Sequence, residues 1–135
     1  MVDEMRKVLI VDDEERIRDM YVRALVEEGF LVRKAADAGL ATNILIREEM
    51  DIVLLDIKMP EINGQIMFDV IREYDPTLKI IVCSVYHLET QRIMIPGADG
   101  YHNKTHGISI LIEKINGVLN KQMIPAIDFL QSHPL

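Results

Sequence analysis

Short apolar runs alternate with longer amphipathic segments along this chain, and the alternation limits the folds that it can adopt. Val8–Val11 is a continuous run of β-favouring residues, typical of a strand that is buried on both faces of a sheet. Four further runs follow it: Leu31-Val32 with Ala35-Ala36, Ile52–Leu55, Ile80–Cys83 and a brief one at Gly100–His102. Parallel neighbouring strands need crossover connections, which helices supply. The pattern therefore predicts an α/β fold, a doubly wound parallel sheet of five strands with five helices on its two faces.

The segments between the runs carry helical spacing. After the first run, one helix face is formed by Ile17, Met20, Tyr21, Ala24 and Leu25. Gly29 is placed to end that helix. The other predicted helices are one from the cap Asp37 to Glu49, one carrying Ile66, Met67, Val70 and Ile71 that stops before Pro76, a short one at Leu88–Ile95, and a last one with Ile108, Leu111, Ile112, Ile115, Val118 and Leu119 on its apolar side. This pattern alone does not fix the order of the strands.

Composition restricts the class of protein. The chain has 135 residues, 49% of them hydrophobic and 27% charged, so it can form one domain with a substantial core. We expect residues 1–122 to form that domain, and residues 123–135 to be a tail that either adds helical turns or begins a linker. A single cysteine excludes a disulfide framework. No apolar run has the length of a membrane span and residues 1–7 do not resemble a signal peptide, so we expect a cytoplasmic protein without membrane contact.

The balance of charges carries further information. The net charge is −7, from 22 acidic and 15 basic residues, which argues against nucleic acid binding by this domain. Four of the acids form one run, Asp12-Asp13-Glu14-Glu15. Acids stabilise a helix N-terminus, and this explains Glu14 and Glu15. It does not explain charged residues that follow other strands, such as Asp56 and Lys104.

Polar side chains follow four of the predicted strands at their carboxyl ends, where open parallel sheets bind ligands. They are Asp12-Asp13, Asp56 and Ser84, with Lys104 a few residues past the fifth strand. If these strands lie near one another, the side chains converge on one cleft. Crowded carboxylates repel, so either one is protonated or a cation holds them, and carboxylate oxygens suit Mg2+.

An aspartate in such a cleft can act as a nucleophile toward phosphorus and form an acyl phosphate. The transferring phosphoryl group needs its oxygens neutralised, and Mg2+, the Lys104 ammonium and the Ser84 hydroxyl are suited to this. These residue types together predict reversible phosphorylation of an aspartate.

The sequence resembles the receiver domain of two-component response regulators, from Lys7 to about Lys121. The matching pieces are Val8–Glu14, Leu54–Pro60 with Gly64, then Ser84, and finally Gly97–Tyr101 leading to Lys104. The resemblance implies the flavodoxin-like strand order 2-1-3-4-5. It also implies a phosphorylation-controlled signalling switch, not an enzyme that turns over an external substrate. Its phosphodonor would be a sensor histidine kinase or a phosphotransfer protein.

The resemblance also implies roles for the acidic residues. Asp56 matches the phosphate-accepting aspartate. Asp13 and Asp56 match the carboxylates that bind Mg2+ directly, and Asp12 matches one that acts largely through water. Lys58 matches the position that contributes its backbone carbonyl to the metal.

Three more roles follow from the same resemblance. Ser84 matches the hydroxyl residue that shifts toward the phosphoryl group, and Tyr101 matches the aromatic switch residue that then turns inward. Lys104 matches the phosphate-binding lysine. The fourth helix, fifth strand and fifth helix would then form the partner surface or a homodimer surface.

Two positions depart from the family pattern. Val85 stands where the family usually has Ala or Gly, and its bulk predicts slow dephosphorylation of Asp56. Thr105 follows Lys104 where the family commonly has a proline joined by a cis bond. A cis bond before Thr105 would cost roughly 3–4 kcal/mol, which favours a trans, reshaped loop.

Other interpretations stay open. A receiver-like domain that interacts without being phosphorylated is one, and a small phosphatase that uses Asp56 as its nucleophile is another. Ser84 taken alone is typical of a strand-end hydroxyl bonded to backbone, and Tyr101 of a ring packed at a sheet edge.

Overall fold

The computed structural model of this protein describes residues 5–58 and 63–120. Within them the chain forms the strands β1 (Lys7–Val11), β2 (Leu31–Ala35), β3 (Ile52–Asp56), β4 (Lys79–Ser84) and β5 (Gly100–Asn103). The helices that alternate with them are α1 (Glu15–Glu27), α2 (Ala38–Arg47), α3 (Gly64–Tyr74), α4 (Leu88–Met94) and α5 (Ile108–Asn120). All strand pairs are parallel, in the order β2-β1-β3-β4-β5. The predicted fold class and the implied strand order are confirmed, and the tail at 123–135 lies outside the described residues.

Different helices cover the two faces of the sheet. Alternate residues of a strand point to opposite faces, so Leu9 and Val53 belong to one apolar cluster and Val8 and Ile52 to another. The first cluster includes buried residues of α2 and α3, and the second includes buried residues of α1 and α5. β1 and β3 are therefore buried on both sides, which explains their continuously apolar sequences.

Side-chain caps begin two of the helices on the first face. Asp37 caps α2 as predicted, because its carboxylate accepts the Leu40 N–H at 2.8 Å. α2 ends at Arg47 and not at the predicted Glu49, since the backbone is already extended at the residue after Arg47. Asn63 caps α3 in the same way, although this cap was not predicted from the sequence.

The ends of α1 and α4 lie close to their predicted positions. Gly29 follows α1 with a φ of 95°, and the Phe30 N–H returns to the Leu25 carbonyl at 3.0 Å. This closure places one residue in the left-handed region, where glycine is favoured. α4 ends at Met94, one residue before the predicted end. In the part of the chain that the structure describes, no helix combines the length and the apolar character that crossing a membrane requires.

Arg72, in the last turn of α3, ties that helix to the segment between α4 and β5. Its guanidinium donates hydrogen bonds to the carbonyls of Leu78 and Gly97 and pairs with Asp99 at 2.8 Å. The Asp99 carboxylate also accepts the backbone N–H of Ile80 at 2.8 Å. The chain just after α4 is therefore fastened to the start of β4.

Gly64 packs directly against the backbone that follows β3. Its N–H donates to the Ile57 carbonyl at 2.7 Å. A Cβ at this position would lie 2.6 Å from the Ile57 Cα and 2.7 Å from the Asp56 carbonyl oxygen. Both of those atoms are backbone and cannot swing aside like the end of a side chain, so only glycine fits.

We expect Gly64→Ala to lower the free energy of unfolding by about 1–3 kcal/mol, because its methyl group overpacks this backbone. Gly117→Ala is the matched control, since a Cβ at Gly117 meets nothing within 4 Å. In that control alanine should stabilise α5 by up to about 1 kcal/mol. Urea denaturation of both variants measures the difference, and equal stabilities would contradict the close approach at Gly64.

Candidate functional site

The carboxyl ends of β1 and β3 bring three aspartates together. Val11 pairs with Leu55 across the two strands, so Asp12 and Asp56 emerge side by side. Both are nearly fully buried, at 2% and 4% exposure, while Asp13 is exposed at the rim. Carboxylate oxygens of the three residues all lie within 4.8 Å of one another.

Lys104 reaches this cluster from the end of β5. Its Nζ lies 2.7 Å from Asp12 Oδ2 and 3.3 Å from Asp56 Oδ2, with its side chain only 6% exposed. A longer contact of 3.7 Å joins it to the exposed Glu14. One ammonium is therefore shared between the two buried carboxylates.

The loop that holds Lys104 beside the acids has a threonine, not a proline, at position 105. The peptide bonds of the described residues are trans, including the one before Thr105. The Asn103 carboxamide oxygen accepts both the N–H and the hydroxyl of Thr105, at 2.9 and 2.7 Å. This local turn shapes the loop.

The remaining oxygens of the buried aspartates have backbone donors. Asp12 Oδ1 accepts the Glu14 N–H at 2.9 Å, and Asp56 Oδ1 accepts the Lys58 N–H at 3.2 Å. The Lys58 ammonium lies 5.0 Å from the centroid of the Tyr86 ring. Both oxygens of Asp12 are thus engaged within the protein, whereas Asp13 stands open to solvent.

Burial and charge act together on the two ionisable groups at the centre. Burial raises the pKa of the Asp56 carboxyl, Lys104 partly offsets this and Asp12 raises it again, to about 6. Burial disfavours the charged Lys104 ammonium, but its hydrogen bond to Asp12 and its contact with Asp56 outweigh burial and raise its pKa. Three carboxylates facing one ammonium leave an excess of negative charge, which suits a hard divalent cation with oxygen ligands.

Ser84 lies at the end of β4, one residue beyond the Cys83 that pairs with Asp56. It is buried, and its hydroxyl oxygen accepts the Tyr86 N–H at 3.2 Å. The Ser84 side chain is therefore bonded to the loop that follows β4. The next residue, Val85, is 58% exposed.

Tyr101 lies apart from the acids. Its ring is half-buried, its hydroxyl donates to the Ile95 carbonyl at 2.5 Å, and it accepts the Ala98 N–H at 3.3 Å. The Arg92 guanidinium lies 5.3 Å from the ring centroid. The structure therefore gathers four predicted residues, Asp12, Asp13, Asp56 and Lys104, and holds Tyr101 against the connection between α4 and β5.

Two supporting residues were not predicted. Arg18 donates to the Asp12 carbonyl at 2.8 Å and so braces the turn between β1 and α1. Gln91, from α4, is completely buried and bonded to the loop that carries Ser84. An arginine or a glutamine at such a helix position is usually exposed to solvent, so nothing in the sequence indicated these roles.

Comparison with known proteins agrees with this geometry. The response regulator receiver domain family matches residues 8–116 of the chain. The chain is 34% identical over 137 residues to a probable transcriptional regulatory protein of Picosynechococcus, and this alignment covers 95% of this chain and 53% of that protein. It is 35% identical over 122 residues to the response regulator GacA of Pseudomonas aeruginosa, with 87% and 57% covered. The chain thus spans about half the length of the curated relatives it matches.

Solved structures with the same fold include a CheY-like receiver domain from Methanospirillum hungatei, with a TM-score of 0.81 and 32% identity over 89% of this chain and 98% of that one. The response regulator TrrA of Thermotoga maritima, in complex with Mg2+-BeF, has a TM-score of 0.79 and 32% identity over 85% and 100%. The family match over most of the chain and the common sheet topology make this chain a member of the response regulator receiver domain family.

Proposed function

We propose that this chain is a phosphorylation-controlled switch in which Asp56 accepts a phosphoryl group in a Mg2+-dependent reaction. The donor we propose is the phosphohistidine of a sensor histidine kinase or a phosphotransfer protein. The single observation that carries the proposal is the cluster at the ends of β1, β3 and β5. There Asp12, Asp13 and Asp56 converge while the Lys104 ammonium contacts two of them.

The donor set fits Mg2+. Asp13 and Asp56 would bind the ion directly together with the Lys58 backbone carbonyl. Asp12 would act through water, because its two oxygens are held by closer donors, at 2.9 and 2.7 Å, than those of Asp56, at 3.2 and 3.3 Å. When bound, Mg2+ would relieve the carboxylate repulsion and neutralise charge on the phosphoryl oxygens.

The reaction asks three things of the residues of the site. An Asp56 carboxylate oxygen attacks phosphorus, the bond from phosphorus to the donor imidazole nitrogen breaks, and the imidazole leaves with the electron pair and takes a proton from water. Lys104 neutralises a phosphoryl oxygen, for which its Nζ is already held 3.3 Å from Asp56. The Ser84 hydroxyl donates to another phosphoryl oxygen after it leaves the Tyr86 N–H.

The readout we propose is a change in the face formed by α4, β5 and α5. A phosphoryl group on Asp56 adds charge and acceptor oxygens, which draw Ser84 toward the site. Tyr101 then gives up the Ile95 carbonyl and the Ala98 N–H and turns inward. This face would be the surface for a protein partner or a homodimer.

Phosphoryl transfer from a small donor tests the assignment. We expect acetyl phosphate with Mg2+ to add one phosphoryl group to the wild type, detected by intact-mass spectrometry, and none to Asp56→Asn. The exposed Asp69 of α3 provides the matched control, so Asp69→Asn should be labelled like the wild type.

Three outcomes are informative. Labelling that persists in Asp56→Asn or in excess EDTA would refute the proposed acceptor or the Mg2+ requirement. A wild type that takes no label would favour a receiver-like module that interacts without phosphorylation. Continued release of inorganic phosphate from an added phosphomonoester substrate would favour the phosphatase alternative.

The raised pKa of Asp56 predicts a pH-dependent stability in metal-free protein. The pKa of Asp56 is about 6 in the fold, and its ordinary value is 3.8. The folded state therefore binds this proton more tightly, so ionising Asp56 lowers the free energy of unfolding as the pH rises from about 4 to above 6. Asp56→Asn should be more stable than the wild type at pH 8 in EDTA, by on the order of 3 kcal/mol.

Chemical denaturation between pH 4 and pH 8 measures that difference, which should shrink toward zero at pH 4. Asp69→Asn should show no such trend. Mg2+ at ten times its Kd should stabilise the wild type at pH 8 by about 1.4 kcal/mol and Asp56→Asn by less. An Asp56→Asn variant that is less stable than the wild type at pH 8 would count against the raised pKa assigned to Asp56.

Val85 should slow the loss of the phosphoryl group, because its exposed side chain hinders the water that attacks phospho-Asp56 in line. We expect Val85→Ala to shorten the lifetime of phospho-Asp56 roughly threefold to tenfold, equivalent to about 1 kcal/mol in the barrier. Val26→Ala, at a valine of α1 that is 55% exposed, is the control. A lifetime unchanged in Val85→Ala would eliminate this explanation.

A further inference from the structure

Gln91 is a buried polar residue that the proposed chemistry does not use. It lies on α4 with 0% of its surface exposed. Burying an amide away from water costs free energy unless its hydrogen bonds are replaced. Its contacts should therefore show what the side chain does.

The carboxamide nitrogen of Gln91 faces backbone carbonyls from three places. Nε2 lies 2.8 Å from the Tyr86 oxygen, 3.0 Å from the His102 oxygen and 3.4 Å from the Ser84 oxygen. Only the NH2 group can donate to carbonyls, so the orientation of the amide is set by its neighbours. One side chain therefore joins the end of β4, the loop after it and β5.

The Ser84 carbonyl also connects the end of β4 to Lys104. Besides Gln91, it accepts the backbone N–H of Lys104 at 2.8 Å. Gln91 thus lies where the strand ends that carry Ser84 and Lys104 are bonded together.

The loop that Gln91 holds is the one whose backbone is hydrogen-bonded to the Ser84 hydroxyl. The Tyr86 N–H donates to Ser84 Oγ at 3.2 Å, and the Tyr86 carbonyl accepts from Gln91. Both the backbone N–H and the backbone carbonyl of Tyr86 are therefore hydrogen-bonded. When Ser84 Oγ turns toward phosphorus, the first of these bonds is lost and the second resists the displacement.

The oxygen of the Gln91 carboxamide does not help to stabilise the fold. Among the described residues, Gln91 Oε1 is buried without a hydrogen-bond partner. An unpaired buried acceptor is costly and uncommon in folded proteins. A leucine or methionine would avoid that cost, so the contacts made by Nε2 are what the glutamine contributes.

We propose that Gln91 is a positioning residue that holds the loop Ser84–Tyr86 in its unphosphorylated arrangement and so sets how readily the switch changes state. The inference rests on the proposed phosphorylation of Asp56. A contact made in one state shifts the equilibrium toward that state, and its removal favours the other. Loss of the Gln91 donor therefore favours the arrangement in which Ser84 engages the phosphoryl group.

Binding of beryllofluoride with Mg2+ tests this, because the complex stands in for a phosphoryl group on Asp56. Gln91→Met keeps the length of the side chain and removes its donors. We expect it to lower the Kd for beryllofluoride roughly fivefold, the effect of one hydrogen bond lost from the resting state. The bound fraction is measured by fluorine NMR in a titration, and Gln65→Met, at an exposed glutamine of α3, should bind like the wild type.

The sign of the effect separates positioning from structural damage. A Gln91→Met variant that binds beryllofluoride as weakly as the wild type, or more weakly, would overturn the role proposed for Gln91. A wild type that neither binds beryllofluoride nor accepts phosphate would instead overturn the proposed function.

A second measurement uses the wild type, so it does not depend on the folding of a variant. The side-chain NH2 signals of Gln91 should be protected from hydrogen exchange in the free protein and lose that protection when beryllofluoride and Mg2+ are added. The Gln65 side-chain signals should not respond. Retained protection of Gln91 in the complex would show that the contact is common to both states and would refute the proposal.

Discussion

Two aspartates buried side by side, with one lysine between them, determine what the rest of this fold must provide. Asp12 and Asp56 are adjacent because β1 and β3 are parallel neighbours in register. Burial and the repulsion from Asp12 raise the pKa of Asp56 to about 6, because Lys104 offsets them only in part. The sheet, packed on both faces, supplies the rigid support that holds like charges this close.

The surrounding loops differ in how they are held. The acidic end is fixed by backbone donors at Glu14 and Lys58 and by the close approach of Gly64. Ser84 and Tyr101 are instead bonded to their own neighbouring loops, away from the carboxylates. In the described part of the chain, the two side chains proposed to move on phosphorylation are therefore hydrogen-bonded to their own loops, whereas the Lys104 ammonium already contacts the carboxylates.

The spacing of apolar residues was sufficient to predict the strands, the helices and the strand ends that carry the site. It could not give the strand order, which depends on long-range pairing, and that order came only from the family resemblance. Asn63 and Asn103 were missed because their roles depend on local backbone geometry. Gln91 was missed because a glutamine in a short helix is usually exposed to solvent, whereas here it is fully buried against the loop before α4 and against β5.

The anchorage by Arg72 has a mechanical consequence for α4. Because the carbonyl of Gly97 and the carboxylate of Asp99 are fastened to α3, the chain just beyond the C-terminal end of α4 has little freedom to translate. A displacement of the loop before α4 therefore acts at the free end of a short lever whose pivot is the Arg72 contact. A small shift at the strand end would then tilt the whole seven-residue helix. Leu88 and Glu89 at its N-terminal end would move farthest, and Ile93, next to the pivot, would move least.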